Sequence, residues 1–331
     1  MFLNTNPPAS ALGVPLAVSG PWSLIVRGVP GAIIAAALGT QPHGRIKGWP
    51  TNSIISKLGW ISKRCVAAAY IVLVTVIAAS SSLYAQATAN SQPTFDHSIF
   101  DSLLHRYVVN GMVDYDGFRQ APELATYLHR LAHFDPNTLP NAERLAFWID
   151  AYNAYTIELI NEHKERESIR NINKTLGFLK LHGPWNDPLA AVAGHHYTLD
   201  DIEQRIIRAK FHEPRIHFAL VCAAMGCPPL RSEAYTGAKL DAQLDDQARI
   251  FLLESPAKNR VDVPGRSVYV SMIFNLYKDD FRSTPAAAGR FIAQFYPSGP
   301  VKDLLESGDF KLVETPYDWA LNSQANAARH R

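Results

Sequence analysis

RIHFALVCAAMGCPPL, residues 215–230, is the stretch on which the reading of this chain turns. Ile216 to Cys222 is an apolar run of strand formers, short enough for a buried strand. Gly226 breaks it, and Pro228-Pro229 forbid its continuation because proline lacks the N–H that a ladder needs. Two of the chain's three cysteines, Cys222 and Cys227, sit in this bend. A strand ending in a thiol-bearing turn can present a reactive side chain or anchor a structural disulfide, and the stretch alone leaves both open.

Upstream, Asn141 after Pro140 opens a helix that should run to about Lys164, with Glu143 in its first turn. Leu145, Trp148, Tyr152, Tyr155 and Leu159 share one face, which Ile149, Asn153, Ile157 and Ile160 extend. That places the amide of Asn153 among large apolar side chains, where it needs partners, either to tie a loop to the helix or to orient a catalytic group. Nearer the stretch, Asp187 to Tyr197 reads as a hairpin with LAAV and HHY flanking Ala193-Gly194, and Thr198 opens a helix with Asp201 in the capping-box position. Glu203 falls inside the apolar arc of Leu199, Ile202, Ile206 and Ile207. A carboxyl there is paired with an arginine or acts as an acid or base with a raised pKa. Before these elements, Phe100 to Tyr107 and Leu124 to Leu131 read as packing helices with a short extended piece, Val113 to Tyr115, between them.

Downstream, Thr236 caps a helix with Leu240, Leu244, Ala248 and Phe251 on its buried stripe. Val261 and Val263 alternate in step with Val268 and Val270 around Pro264-Gly265, a second hairpin. Ser271 caps a helix through MIFNLYKDDF, a further helix carries Phe291, Ile292 and Phe295, FKLVE is a strand, and residues 323–331 read as a frayed tail. Helices and short strands alternate without a βαβ period, so the expected class is α+β: one helix-rich domain over residues 95–322 with short strands and hairpins.

Residues 1–57 mix Pro, Gly and Ala with apolar patches, lack a period and hold almost no acidic residue, so little order is expected there. Lys63-Arg64, the uncharged run from Val66 to Ala79 and Ala85-Gln86-Ala87 then have the three-part build of a secretory signal peptide over 58–87. A signal beginning so far into a chain points to a true start near Leu58. The protein is expected to be periplasmic or secreted; the alternative is anchoring to the membrane by residues 65–87, although that run is short for a spanning helix. Export leaves two cysteines in an oxidising compartment and makes a disulfide the default. The net charge of +2, from 32 basic and 30 acidic side chains, gives no field toward nucleic acid.

FWIDAYNAYTI (147–157), YTLDDIEQRIIR (197–208), HFALVCAAMGCPPLR (217–231), VYVSMIFNLYKDDF (268–281) and PYDWALN (316–322) together resemble the family known as domain of unknown function 547. The resemblance covers most of the region after residue 95, and the family name carries no activity. It implies plant relatives that are intracellular, carry the domain beside a coiled coil, keep the position of Cys222 and have serine at that of Cys227. By that resemblance Cys222 is the better candidate for chemistry and Cys227 the disulfide partner.

For nucleophilic catalysis, Cys222 or Cys227 would be the nucleophile, with His217, His195, His196 or His163 as base and Asn153 or Asp318 as orienter. Amides near Gly226 would face an oxyanion, and Pro228 at a first helical position would put Cys227 at a helix N-terminus. His217 and Cys222, five apart, would point to opposite faces of a regular strand. Zinc lacks a second ligand pair, and no phosphate loop or dinucleotide fingerprint is present, so neither metal nor cofactor is expected. Two functions follow. One is a thiol-dependent hydrolase or acyltransferase acting on an amide or thioester bond, with papain and transglutaminase as fold analogies. The other is a non-catalytic extracytoplasmic binding or scaffold domain in which Cys222–Cys227 is a staple and Asn153, Glu203, Arg208 and Asp318 form a polar network. The partner in either case is a small molecule or peptide.

Overall fold

The computed structural model describes residues 73, 76, 77, 93–172 and 183–329. The chain divides into two units, Met1–Ser82 and Leu83–Arg331. In the first, Leu73, Val76 and Ile77 are helical and exposed. The expected N-terminal extension, and the signal segment apart from those three residues, lie outside the described residues, as do 173–182. No helix among the described residues is long and apolar enough to cross a membrane.

The second unit is α+β. It opens with α1 (Ser98–Tyr107), the two-residue strands β1 (Val108–Val109) and β2 (Met112–Val113), α2 (Tyr115–Gln120) and α3 (Pro122–His133). Tyr115, expected in an extended piece, instead begins α2, because Asp114 accepts from the Gly117 amide and caps a helical turn there.

At the centre is α4 (Asn141–Glu162), where every residue from Leu145 to Ile157 is buried. Sequence spacing predicts a single apolar stripe, yet helices α2 and α3, the hairpin strand β3 (Ala190–Val192) and a later helix all pack on α4. The helix is surrounded, so even its small Ala146, Ala151 and Ala154 are covered. β3 pairs antiparallel with β4 (His195–Tyr197) around Ala193-Gly194, Val192 opposite His195, which is the expected hairpin. The capping box is also present: Thr198 Oγ1 accepts from Asp201 N at 2.9 Å, and Asp201 Oδ2 accepts from Thr198 N at 3.1 Å. The helix it opens is wound as a π-helix over Asp201–Arg208, a form that recurs at functional sites.

Residues 215–230 correct the opening expectation. Pro214–Phe218 is a 3₁₀ turn, and no strand follows; Ala224 makes a lone bridge to Leu321. Pro214 sits in the first turn and Glu213 accepts from Arg215 N, which winds the start of the run. Beyond it the backbone is served from elsewhere. Asn153 Nδ2 donates to Ala219 O at 3.0 Å and Asn153 Oδ1 accepts from Val221 N at 3.0 Å. Met225 N and Gly226 N donate to Ala320 O and Asp318 O, at 2.7 and 2.8 Å. A buried chain must pair its amides, and here a side chain and a distant segment replace a ladder. Pro228 opens no helix either, so Cys227 is not at a helix N-terminus.

A second apolar cluster contains α5 (Leu240–Leu253), which starts one turn later than Thr236 suggests, and a three-stranded sheet. In that sheet β5 (Arg260–Asp262) pairs antiparallel with β6 (Ser267–Val270), Val261 opposite Val268, and β6 pairs parallel with β7 (Lys311–Glu314). The helix expected through Phe281 is only α6 (Ile273–Leu276); turns follow, with Arg282 and Ser283 at positive φ. Helices α7 (Pro285–Ala293) and α8 (Pro300–Ser307) bridge to β7, and α8 was not foreseen.

The expected frayed tail is helix α9 (Gln324–Arg329), and Asn326 in it is 3% exposed. The segment before it ties distant regions together. Val113 N donates to Asn322 O, Leu321 N to Glu167 O and Asn322 N to Ala223 O, at 2.9, 2.7 and 3.1 Å.

Candidate functional site

Beside the Cys222–Cys227 bend lies a pocket of about 260 Å³. The π-helix brings Glu203 to it and the 3₁₀ turn brings His217. Tyr152 comes from α4, Leu276 and Tyr277 from the α6 region, Trp185 from a short 3₁₀ turn at Pro184–Asn186, and Tyr317 and Trp319 from the C-terminal segment. Expectation put His217 and Cys222 on opposite faces of a strand; without the strand, both line this pocket.

Cys222 and Cys227 are joined by a disulfide, Cα to Cα 6.3 Å. The Tyr317 hydroxyl donates toward both sulfurs, 3.2 and 3.1 Å away, and Cys222 N donates to Cys227 Sγ at 3.2 Å. Gly226 is required here, since a Cβ would meet the Tyr317 ring at 2.8 Å. The turn amides expected to face an oxyanion are otherwise committed, Gly226 N to Asp318 O and Cys227 N to Ala224 O. From behind, Lys258 Nζ donates to Cys227 O at 2.6 Å, and burial pushes its pKa down to about 8.

Glu203 is 8% exposed. Burial raises its pKa, an effect that the hydrogen bond with Tyr277 and the positive charges of His217 and Arg208 only partly offset. Tyr152 donates to Glu203 Oε2 at 3.4 Å. No cation pairs with it directly: Arg208, one turn or so along, makes a two-pronged contact with Asp280 at 2.6 and 3.0 Å. His217 Nε2 also donates to Asp280, at 2.7 Å, and its ring stacks on Tyr277 with centroids 3.9 Å apart. With two cationic or donating partners, Asp280 is held well below the usual carboxylate range.

Of the residues singled out from sequence, Glu203, His217, Cys222 and Cys227 come together at this pocket. Asn153 lies behind it, holding the 219–221 backbone. Asp318 is exposed, its carboxylate accepting from Ala320 N at 2.9 Å, so it does not orient a histidine. The polar network drawn through Glu203, Arg208, Asn153 and Asp318 is therefore replaced by His217–Asp280–Arg208. His163 contacts Asp187 at 3.2 Å, and His195 and His196 are exposed on β4. Asp280, Tyr277, Tyr317, Trp185 and Trp319 were missed as site residues. Lys278-Asp279-Asp280 reads as a solvated charge run, and only the aromatic residues on either side of the disulfide could have hinted at a shared pocket.

Fold and pocket thus define an α+β domain with a disulfide in the wall of an aromatic, acidic cleft. Residues 136–252 match the model of the family described as protein of unknown function, DUF547, so that part of the chain carries a domain of this family. The matched region contains Asn153, Glu203, His217 and both cysteines, while Tyr277, Asp280 and Tyr317 lie beyond it. No curated protein and no solved structure matches the chain.

Proposed function

We propose that this is an extracytoplasmic ligand-binding domain whose pocket takes a small molecule or a peptide side chain, with Cys222–Cys227 as a staple in its wall. One observation carries this reading: both sulfurs are consumed in the disulfide while the pocket next to them stays open and lined by aromatic rings. A concave site with many apolar surfaces and a few converging polar groups is the usual form of a small-ligand site. A disulfide is the chemistry of an oxidising compartment, which supports export.

The thiol-dependent hydrolase or acyltransferase remains as a second reading because Cys222 and His217 face one pocket. It requires prior reduction, since the thiolate is the nucleophile, and it requires a base, whereas His217 Nε2 is committed to Asp280. Thiol labelling of protein purified from the export compartment separates the two. Cysteines that label only after reduction, together with metabolite or peptide hits in a thermal-shift screen that persist in the Cys222→Ser, Cys227→Ser double variant, support the binding domain. A single reactive thiol of low pKa in the untreated protein, lost in Cys222→Ser, supports the enzyme.

A further inference from the structure

Glu203 is a buried carboxyl that no ion pair among the described residues neutralises. Its partners are the hydroxyls of Tyr152 and Tyr277, while the guanidinium of Arg208 is spent on Asp280 and no lysine or arginine is among the described residues lining the pocket. Buried carboxylates in proteins are paired, hydrogen-bonded or neutral. Around Glu203 the pocket wall is aromatic: Tyr152, Trp185, Tyr277, Tyr317 and Trp319. Trp185 and Trp319 meet edge to face with centroids 6.2 Å apart, and Tyr317 and Trp319 lie 4.6 Å apart. A second carboxylate, Asp200, stands at the rim.

Rings with electron-rich faces and two carboxyl groups, with no lysine or arginine among the described residues of the lining, make a cavity whose charge complement is a cation. An alkylammonium group suits it: the rings stabilise the cation over their faces and its alkyl substituents fill the apolar surface. Two of these rings already accept cations, Tyr277 from Arg208 at 5.1 Å and Trp319 from Arg170 at 5.1 Å. We infer that the pocket binds the alkylammonium end of its ligand, with Glu203 supplying the counter-charge among the rings of Tyr277, Tyr317 and Trp319. This rests on the reading of the cleft as a ligand pocket and names the chemistry of what enters it.

The test is calorimetric titration of the full chain with choline and with 3,3-dimethylbutan-1-ol, its neutral carbon isostere. Choline binds at least about tenfold more tightly than the alcohol, the scale of a desolvated cation on an aromatic face. Glu203→Gln removes that preference while the weak binding of the alcohol persists, and Trp319→Leu, at a half-exposed position, weakens choline more than the alcohol. Equal affinities for the two probes overturn the inference and leave the pocket reading intact. A preference that survives both substitutions overturns it too, by placing the cation elsewhere. If neither probe binds, the inference also fails, and the thermal-shift screen then decides separately whether the pocket takes any ligand.

Discussion

Glu203 and Asp280 sit a few residues' reach from each other around His217 and Arg208, and their burial and partners push them in opposite directions. For Glu203 the folded pKa is raised. Its contribution to stability is therefore complete below the ordinary glutamate value and is lost as pH rises through the raised one. Glu203→Gln should consequently melt close to the wild type at pH 4 and above it at pH 8, measured by thermal denaturation; a variant less stable at pH 8 would contradict the raised pKa of this carboxyl. Asp280 has the reverse sign. Its folded pKa is depressed, so its contribution is present above the ordinary aspartate value and is lost as pH falls through the depressed one. Asp280→Asn should cost about 2 kcal/mol at pH 7 in urea denaturation, as expected for hydrogen bonds to a charged group, and the gap should narrow by pH 3. Glu203 was legible in the sequence because a charge inside an apolar arc is conspicuous. Asp280 was not, because nothing in a Lys-Asp-Asp run announces that a histidine 63 residues earlier will reach it.

At the scale of elements, the two hairpins and the Thr198–Asp201 capping box were legible because their causes are local: Ala193-Gly194 and Pro264-Gly265 turn the chain, and Thr198 and Asp201 exchange hydrogen bonds three residues apart. Thr236, by contrast, caps no helix, and α5 begins at Leu240. The stretch at 215–230 was misread because its cause is remote. Apolar residues of strand type can fill a core as irregular chain when another group satisfies their backbone, and here that group is Asn153. Asn153→Ala should leave Ala219 O and Val221 N without their partner, at about 1–3 kcal/mol for each group left unsatisfied. Denaturation midpoints measure the loss. Since the same backbone carries the disulfide, the variant should also let Cys222 react faster with thiol reagents after reduction. Helix α4 shows the complementary limit: its apolar positions predict burial on one face, and only the assembled neighbours reveal that the other faces are covered as well.

For the whole molecule, sequence gave the class, α+β with a helix-rich domain and small sheets, and placed four of the pocket's residues. It could not place Tyr317 and Trp319 in the wall, since they reach it only after the C-terminal segment has crossed between the 113, 167 and 223 regions. Removing everything from Tyr317 onward should therefore unfold the second unit rather than trim it. Far-UV circular dichroism and the loss of a cooperative melting transition would show this; a truncated chain with native-like melting would refute the structural role assigned to that segment.

That crossing also orders events in time. Ribosomes deliver a chain from its N-terminus, and domains ordinarily begin to fold as they emerge. In this protein Val113, Glu167 and Ala223 must wait for Asn322 and Leu321 to be made before their backbone groups find partners. The cysteine bend emerges about ninety residues before Tyr317, the side chain that covers both sulfurs. During that interval Cys222 and Cys227 are exposed to whatever oxidant the chain meets, so the pairing of these thiols is open to kinetic control before the fold that houses them exists.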